Sequence, residues 1–354
     1  MSENQDILFE SNNRCGVITL QRPKALNALS YDMIAALEAQ YLKWADDLHI
    51  YAVIIQSSND RAFCSGGDLR ALYEWWHGGK LSTILELYGT EYQHNWTLDR
   101  FLKPQAALID GIVMGGGVGV SLYGTHRVAG ANYKFAMPEV SIGFFPDVGA
   151  TWFLPRLKGK TGLYLALTGR AIDRADAYYL GLVTHCIDSA AYGSIRDALS
   201  EAEPIDPLLD DLHQDPGDSE IASLQATIDR LFDAASVEQV LAQLDNETGP
   251  MADWAHKAAA EIRTKTPQGL KIAFEQVKRG GKLGLDEALK LEFAIARRFM
   301  EGGEFFEGIR AAIIDKDQKP KWSPATLEEV SDELVQSYFA PLSDGALDLV
   351  NPFN

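Results

Sequence analysis

The sequence predicts an α/β fold whose C-terminal third is mainly helical. Strand-like and helix-like patterns alternate through roughly the first 190 of the 354 residues, the order expected when helices cover a sheet. Beyond Asp188 strand patterns give way to helical periodicity. An apolar content of 46%, with charges spread along the chain, is typical of a globular protein with a large core.

The strands of the first part are predicted from short apolar runs bounded by turn residues. They lie at residues 15–20, 51–57, 105–109, 126–129 and 133–136. Between the first two, Ser30 can cap a helix that runs to about Asp47, since Ile34, Leu37, Tyr41 and Trp44 recur at helical spacing. A second helix is predicted over residues 81–102.

The second part begins with an acidic segment. Residues 201–220 contain eight acidic residues and three prolines, which predicts a solvated connector. Helical patterns then follow at residues 219–232, 237–244, 251–264, 268–279, 285–300 and 304–314. We therefore divide the chain into a core at residues 1–190 and a mainly helical region at residues 191–354.

The composition excludes several classes of function. A formal charge of −18 disfavours binding to nucleic acid or to anionic membranes, and no apolar run approaches the roughly 18 residues of a membrane span. Arg22 and Lys24 could still bind an anionic ligand locally. The three cysteines are far apart and the histidines form no ligand pattern, so we predict no metal site. The acidic, polar start lacks the features of a targeting segment, and we expect a cytoplasmic location.

Two glycine-rich segments follow predicted strands. In residues 63–69 (FCSGGDL), paired glycines precede a helix that begins near Asp68, so a ligand could approach the backbone closely. The alternative is a tight strand-to-helix turn. Residues 112–119 (IVMGGGVG) match neither a dinucleotide fingerprint nor a P-loop. Free N–H groups at such a junction suit a phosphate or a developing oxyanion.

A third segment, residues 137–149 (MPEVSIGFFPDVG), holds two acids among apolar residues. Carboxyl groups in apolar surroundings have raised pKa values, so Glu139 and Asp147 could act as general acid or base. Alternatively, Asp147 caps a following helix and Glu139 is solvated. Together the three segments suggest a reaction that passes through an oxyanion. Cys64 could be a nucleophile, but a packed thiol is the better interpretation.

In this order and spacing, these segments resemble the crotonase (enoyl-CoA hydratase/isomerase) superfamily. Residues 18–29 (ITLQRPKALNAL) resemble its CoA-binding loop, and the two glycine-rich segments resemble its two oxyanion-hole loops. Residues 135–157, 165–185 and 304–322 are similar to the 3-hydroxyisobutyryl-CoA hydrolase branch. The blocks run from about Ile18 to Trp322. The resemblance implies a crotonase-type spiral of repeated ββα units, followed by the helical C-terminal portion.

The resemblance also implies roles for individual residues. The thioester oxygen would lie between the N–H groups of Gly67 and Gly116, with Glu139 as general base or nucleophile. Glu91 or Asp147 would hold the hydroxyl of a short branched 3-hydroxyacyl group. Coenzyme A, as part of the substrate and with no permanent cofactor, would contact a set of loop residues. These are Lys24, Ala25, Leu26, Ala62, Ser65, Gly67, Asp68 and Leu69.

Two features depart from the patterns of relatives. Typical hydratases place a glutamate two residues after the glycine triplet, where this chain has Gly119, which argues against hydratase activity. The residues after Asp147 also differ from many hydrolases and would reshape the acyl pocket. An enoyl-CoA hydratase or isomerase and a non-catalytic acyl-CoA-binding protein remain the alternatives to the hydrolase, and the chain could form a homo-oligomer.

Overall fold

The computed structural model describes residues 6–353, which contain both strands and helices throughout the predicted core. The strands are β1 (Ile7–Asn12), β2 (Cys15–Leu20), β3 (Ala52–Ser57), β4 (Ala62–Cys64), β5 (Gln105–Ile109), β6 (Ile112–Met114), β7 (His126–Ala129), β8 (Lys134–Ala136) and β9 (His185–Cys186). The strands predicted from the sequence are confirmed, with β3 and β8 one residue shorter. The short strands β4 and β6 lie inside the glycine-rich segments and were not predicted.

Helices occupy most of the remaining chain. They are α1 (Tyr31–Asp46), α2 (Leu69–His77), α3 (Leu81–Arg100), α4 (Gly116–Gly119), α5 (Ala150–Phe153), α6 (Thr161–Thr168), α7 (Arg174–Tyr179), α8 (Tyr192–Ser200), α9 (Ile205–Leu212), α10 (Glu220–Leu231), α11 (Val237–Asp245), α12 (Ala252–Ile262), α13 (Pro267–Gly280), α14 (Leu285–Glu301), α15 (Glu304–Ile309) and α16 (Asp332–Tyr338). Ser30 caps α1 as predicted, accepting a hydrogen bond from the Met33 amide. A π-helical turn follows α15 at Arg310–Ile314. None of these helices is long and apolar enough to cross a membrane.

The strands form two sheets that the chain visits in turn. One sheet has the order β1-β2-β3-β5-β7-β9 and the other the order β4-β6-β8. Each repeat adds one strand to each sheet, β3 and β4, then β5 and β6, then β7 and β8, before the next helical segment. All pairs are parallel except β1 with β2. The predicted spiral of ββα units is thereby confirmed.

Strands β2, β3 and β5 of the larger sheet are buried on both faces, which explains their nearly continuous apolar sequences, whereas the edge strand β1 is mostly exposed. Along β3, Val53 and Ile55 point into the main core, whereas Ala52 and Ile54 point into a second cluster. The same alternation recurs along β5. Helices α8 and α9 supply the outer half of that second cluster. A division of the chain at residue 190 stays a prediction, and these two helices, which follow it, cover the sheet that precedes it.

The prediction of a solvated connector over residues 201–220 is wrong for its central part. Residues 205–212 form α9, and Ile205 and Leu209 are buried against the sheet. Pro207 is tolerated because it lies in the first turn, where a backbone N–H has no partner within the helix. Two hydrogen bonds hold the helix against the sheet, between His126 and Asp206 and between His185 and Asp210. The prediction gave weight to the acidic content of residues 201–220 and overlooked the helical spacing of the apolar residues Ile205 and Leu209.

The remaining helices build the second half of the molecule. The predicted helices from α10 to α15 are confirmed within a few residues of their predicted ends, and α16 was not predicted. Their apolar faces join the same hydrophobic core as α1, α3 and the strands. Helices α13, α14 and α15 pack against residues 138–153. The helical region therefore directly contacts the third candidate segment, residues 137–149, which contains Glu139 and Asp147.

We expect Leu209→Ala to destabilise the protein if α9 is docked as described. Leu209 is fully buried, and truncating a fully buried leucine costs about 2–5 kcal/mol. Urea denaturation monitored by circular dichroism would measure the loss. Leu208→Ala is the matched control, because Leu208 is only partly buried on the same helix. A change below about 0.5 kcal/mol for Leu209→Ala would mean that residues 201–220 behave as a connector after all.

Candidate active site

The two glycine-rich segments lie side by side because β4 and β6 are neighbours in the smaller sheet. At the ends of these strands the backbones approach too closely for side chains. A Cβ atom on Gly117 would lie 2.6 Å from the carbonyl oxygen of Cys64, and one on Gly116 would lie 3.6 Å from the Gly67 nitrogen. Space therefore requires glycine at Gly117, where the two backbones meet, and the ligand-binding interpretation of these segments gains a geometric basis.

The amides of Gly67 and Gly116 are both left without a strand or helix partner. The bridge between Leu29 and Gly67 uses the carbonyl of Gly66 and the amide of Asp68, so the Gly67 N–H stays outside it. Gly116 is the first residue of α4, where an N–H has no acceptor within the helix. Two such donors a few ångströms apart form an oxyanion hole. The structure thus brings together the two residues predicted for that role.

Both amides face a cavity of about 180 Å³. Its lining combines the two loops with residues of α2, α3, the segment after β8 and α15. The lining residues are Ser65, Gly66, Gly67, Asp68, Leu69, Leu72, Leu87, Tyr88, Glu91, Met114, Gly115, Gly116, Pro138, Glu139, Ser141, Ile142, Phe144, Asp147 and Phe305. The apolar wall is anchored by Phe144, whose ring stacks on that of Phe305 with centroids 4.5 Å apart.

Glu91 enters the cavity from α3. Its neighbours on the same helix face, Tyr88 and Tyr92, are buried, and Glu91 is only 5% exposed. The Oε1 atom lies 2.5 Å from the position of a Cβ on Gly116, next to the oxyanion hole. Within the described residues this atom has no hydrogen-bond partner. A buried acceptor without a partner is costly, which indicates that a ligand group meets it.

Glu139 enters from the opposite side, at the start of a short 3-10 helix, Glu139–Ile142. The interpretation of Glu139 as a solvated side chain is wrong, since the residue is 6% exposed. Its Oε1 lies 3.3 Å from the position of a Cβ on Gly115, and its Oε2 has no partner among the described residues. The carboxyl group therefore stands beside the oxyanion hole with one oxygen available.

Asp147 is the third buried carboxyl group that lines the cavity. The N-cap interpretation of this residue is wrong, because α5 begins at Ala150 with Gly149 as its N-cap. The Asp147 side chain instead points inward and accepts a 2.8 Å hydrogen bond from the Tyr92 hydroxyl. The turn that allows this places Val148 at φ 50° and Gly149 at φ 87°. A β-branched residue in the left-handed region is strained, at a cost on the order of 1–3 kcal/mol.

The electrostatics of the cavity favour protonated acids. Burial raises the pKa of Glu91 to about 8, and the charge of Asp147 adds to the effect. Burial likewise raises the pKa of Asp147 to about 7, although the hydrogen bond from Tyr92 opposes the shift. Burial and the Asp147 charge raise the pKa of Glu139 well above its usual range. None of the described lining residues is basic, so no neighbouring positive charge in the cavity lowers the pKa values of these groups.

The residues predicted to contact coenzyme A occupy several positions around the first loop. Ser65, Gly67, Asp68 and Leu69 line the cavity. The turn containing Lys24, Ala25 and Leu26 does not line it but borders it, since the Ser65 amide donates to the Leu26 carbonyl. Ala62 is fully buried in β4 and is not brought to the cavity. An ion pair between Arg22 and Asp68, 2.7 Å long, holds the turn against the start of α2.

Several residues of the site were missed from the sequence. Tyr88, Phe144 and Phe305 line the cavity, and Tyr92 binds Asp147, yet nothing in their local patterns separates them from core residues. A buried acid on an apolar helix face is a detectable signal, and Glu292 on α14 shows it, between Leu289 and Phe299. Cys64 is fully buried, and burial raises the pKa of its thiol to about 12, which rules it out as a thiolate nucleophile.

Metal binding has no support in residues 6–353, where no group of three or more His, Cys, Asp or Glu side chains could hold an ion. The arrangement offers two amide donors for an oxyanion and three carboxyl groups for proton transfer or nucleophilic attack. Such a site suits reactions of a carbonyl compound in which negative charge develops on oxygen.

Comparison with known proteins agrees with this chemistry. The sequence pattern of the enoyl-CoA hydratase/isomerase family matches residues 15–339. The mitochondrial 3-hydroxyisobutyryl-CoA hydrolase of Danio rerio is 40% identical over 356 residues, covering 97% of this chain and 92% of that protein. The human protein of the same name is 38% identical, covering 98% and 90%.

Solved structures share the whole architecture. The crystal structure of an enoyl-CoA hydratase from Rhodobacter sphaeroides has a TM-score of 0.91 at 34% identity, covering 98% of this chain and all of that one. A carnitinyl-CoA dehydratase from Mycobacterium thermoresistibile has a TM-score of 0.91 at 36% identity, covering 98% and 99%. The chain therefore belongs to the enoyl-CoA hydratase/isomerase (crotonase) family, within which it is similar over nearly its whole length to the 3-hydroxyisobutyryl-CoA hydrolases.

Proposed function

We propose that this protein hydrolyses the thioester of a short branched 3-hydroxyacyl-CoA, with 3-hydroxyisobutyryl-CoA as its substrate and 3-hydroxyisobutyrate and CoA as products. The observation that carries the proposal is the convergence of two free amides and three buried carboxyl groups on one small cavity. The relatives named 3-hydroxyisobutyryl-CoA hydrolase support the choice of acyl group, which is the product of valine breakdown.

The geometry assigns a task to each part of the site. The thioester oxygen accepts hydrogen bonds from the amides of Gly67 and Gly116, which stabilise the negative charge of the tetrahedral intermediate. The acyl group enters the apolar side of the cavity, beside Phe144. Its 3-hydroxyl group meets Glu91, whose Oε1 has no other partner in the described residues. Asp147, held by Tyr92, lines the same cavity as Glu139, and its charge contributes to the raised pKa of Glu139.

Two routes lead from this arrangement to products. In the first, the Glu139 carboxylate takes a proton from water, and the water oxygen bonds to the carbonyl carbon to form the tetrahedral intermediate. In the second, a Glu139 oxygen bonds to the carbonyl carbon, and collapse of the intermediate leaves a mixed anhydride that water then cleaves. In both, the carbon–sulfur bond breaks when the intermediate collapses, and CoA leaves as a thiolate that takes a proton from solvent. Both routes require an ionised Glu139, so its raised pKa sets a common pH dependence.

Hydratase activity is disfavoured by the space around Gly119. A Cβ atom there would lie 2.8 Å from Nδ2 of Asn95 and 3.1 Å from Cβ of Val148. The second acid that hydratases carry at this position is absent, and a side chain would not fit. An isomerase needs only one acid, and Glu139 could supply it. Isomerase activity is therefore an alternative that experiment must test. The non-catalytic alternative predicts neither activity.

Two further expectations accompany the proposal. Coenzyme A enters as part of the substrate, and we propose that no other cofactor is needed and that copies of the chain can associate. A cytoplasmic location stays a prediction, and the animal relatives are described as mitochondrial.

The first experiment follows free thiol release from 3-hydroxyisobutyryl-CoA, with crotonyl-CoA in parallel. We expect rapid thiol release from the first compound and no change in the enoyl absorbance of the second. Loss of that absorbance without thiol release would assign the protein to the hydratase/isomerase activities. CoA binding without turnover of either compound would identify a binding protein.

Glu139→Gln should abolish most turnover while leaving substrate affinity nearly unchanged, because the carboxylate acts in the transition state. General base catalysis contributes about 10²–10⁴-fold, and we expect kcat to fall within that range. Steady-state kinetics with thiol detection would measure it. Glu86→Gln is a suitable control, since Glu86 is bonded to Tyr31 outside the cavity. An unchanged kcat in Glu139→Gln would show that the assignment is wrong.

Gly67→Pro removes one donor of the oxyanion hole and should lower kcat by about 10²–10³-fold. Gly67→Ala keeps the N–H, and a Cβ there meets no atom within 4 Å, so its loss should be much smaller. Comparing kcat of the two variants separates the loss of the N–H group from the effect of the added side-chain volume. Equal losses in both would indicate that the amide contributes nothing.

The pH profile of kcat should reflect the buried acids. An exposed carboxyl group ionises near pH 4, whereas burial raises the pKa of Asp147 to about 7 and that of Glu91 to about 8. Glu139 must be ionised to act, and burial together with the Asp147 charge raises its pKa well above the usual range. We therefore expect kcat to be low in mildly acidic buffer and to rise with increasing pH. Initial rates corrected for spontaneous thioester hydrolysis would test this. A profile already at its plateau near pH 5 would contradict it.

A further inference from the structure

Glu292 is a buried carboxyl group for which the reaction above has no task. It lies on α14, is fully buried, and does not line the cavity. Its Oε2 accepts a 2.6 Å hydrogen bond from the Gly149 amide, and its Oε1 accepts a 2.8 Å hydrogen bond from the Thr151 amide. Among the described residues no lysine, arginine or histidine forms an ion pair with it. The carboxyl group of Glu292 therefore binds the backbone of the segment that contains Asp147.

The backbone around residues 147–151 forms a turn that accommodates the Glu292 carboxyl group. Val148 and Gly149 both have left-handed backbone angles, and α5 begins directly after them. The amides of Gly149 and Thr151 in this turn donate to Glu292, whereas the Ala150 amide between them donates to the Asp147 carbonyl. A Cβ on Gly149 would lie 1.6 Å from the Tyr123 hydroxyl oxygen, so the turn has no room to relax at that residue.

Further side chains hold the same turn from outside. The Tyr123 hydroxyl donates to the Val148 carbonyl at 2.6 Å. Gln276 on α13 donates to the Pro146 carbonyl at 2.5 Å and to the Thr151 hydroxyl at 2.8 Å. A strained backbone conformation is stable only where several surrounding contacts hold it in place. Two helices of the C-terminal region thus determine where Asp147 stands.

We propose that Glu292 is a positioning residue for the reaction: by binding the amides of Gly149 and Thr151, its carboxyl group fixes Asp147 in the cavity and, once ionised, adds a negative charge behind the catalytic acids. This inference rests on the proposed hydrolase function. It assigns to the helical C-terminal region a direct part in catalysis, and it extends the site beyond the residues that can touch the substrate.

The charge of Glu292 has a separate, measurable consequence. The ionisable groups nearest to it on the elements packed around it are Asp147, Glu139, Tyr92 and Tyr123. Burial raises the pKa of Glu292 to about 8, against the effect of its two amide bonds, and the Asp147 charge raises it further. Glu292 in turn contributes to the raised pKa of Glu139. Removing its charge should therefore make Glu139 easier to ionise.

The test compares Glu292→Gln with the wild-type enzyme, using thiol release from 3-hydroxyisobutyryl-CoA. Glutamine has the same shape but turns an NH₂ group toward one of the two amides. A displacement of about 1 Å at a catalytic group can cost 10²-fold in rate, so we expect kcat to fall by roughly 10²-fold with KM within about twofold. The midpoint of the kcat–pH profile should move to lower pH, which a merely structural role would not cause.

Glu292→Asp separates position from charge and serves if Glu292→Gln does not fold. It keeps the charge but withdraws it by one methylene, so kcat should fall by about tenfold or more while the pH midpoint stays. Glu304→Gln is the matched control. Glu304 is a buried acid on α15 whose pKa burial also raises to about 8, but it is bonded by the Thr266 hydroxyl and not by residues 146–151. This variant should keep kcat within about twofold of wild type.

Circular dichroism and the dissociation constant for CoA would establish that each variant is folded. Folded Glu292→Gln or Glu292→Asp with kcat within about twofold of wild type would overturn the positioning role. A loss of kcat in Glu292→Gln without the shift in pH midpoint would overturn its electrostatic part. Absence of thiol release by the wild-type enzyme would instead be a failure of the proposed function, which keeps the two conclusions distinct.

Discussion

The burial of several carboxyl groups side by side, without a basic partner in the cavity, is the constraint on which the rest of the site depends. Such groups resist ionisation, because each charge is poorly solvated and repels the next. Burial therefore raises the pKa of Glu91 to about 8 and that of Asp147 to about 7, and with the Asp147 charge it raises the pKa of Glu139 well above its usual range. A base with a raised pKa accepts a proton more readily once it is ionised, which is what attack on a thioester needs.

The oxyanion hole supplies the compensating positive field, and it does so without a charged side chain. Parallel pairing of β4 with β6 brings two glycine loops into contact, and at Gly117 a side chain would collide with the backbone of Cys64. The resulting amide pair stabilises an oxyanion while leaving the acids near it unneutralised. A lysine or arginine in the cavity would stabilise the oxyanion too, but it would also hold the carboxylates ionised by attraction and abolish the proton exchange.

The helical C-terminal region is a structural part of the site. Phe305 closes the cavity, while Gln276 and Glu292 hold the strained turn behind Asp147. The turn cannot be stable through its own sequence, since Val148 is poorly suited to its backbone angles. The same core also unites the early strands with the late helices. Catalytic geometry and the packing of the two parts are thus coupled.

By itself, the sequence determined the elements whose signals are local. The apolar runs of β2 and β5, the cap of α1 and the order of the three segments that contain the candidate site residues could be predicted. Gly67, Gly116, Glu139 and Asp147 were site candidates, and the structure brings them to one cavity, while their catalytic roles stay predictions. Only the tertiary structure decided that Asp147 points to Tyr92 and does not cap a helix, that residues 205–212 dock as α9, and that Glu292 supports the site. These outcomes depend on contacts between residues far apart in the chain, and local propensity carries no information about such contacts.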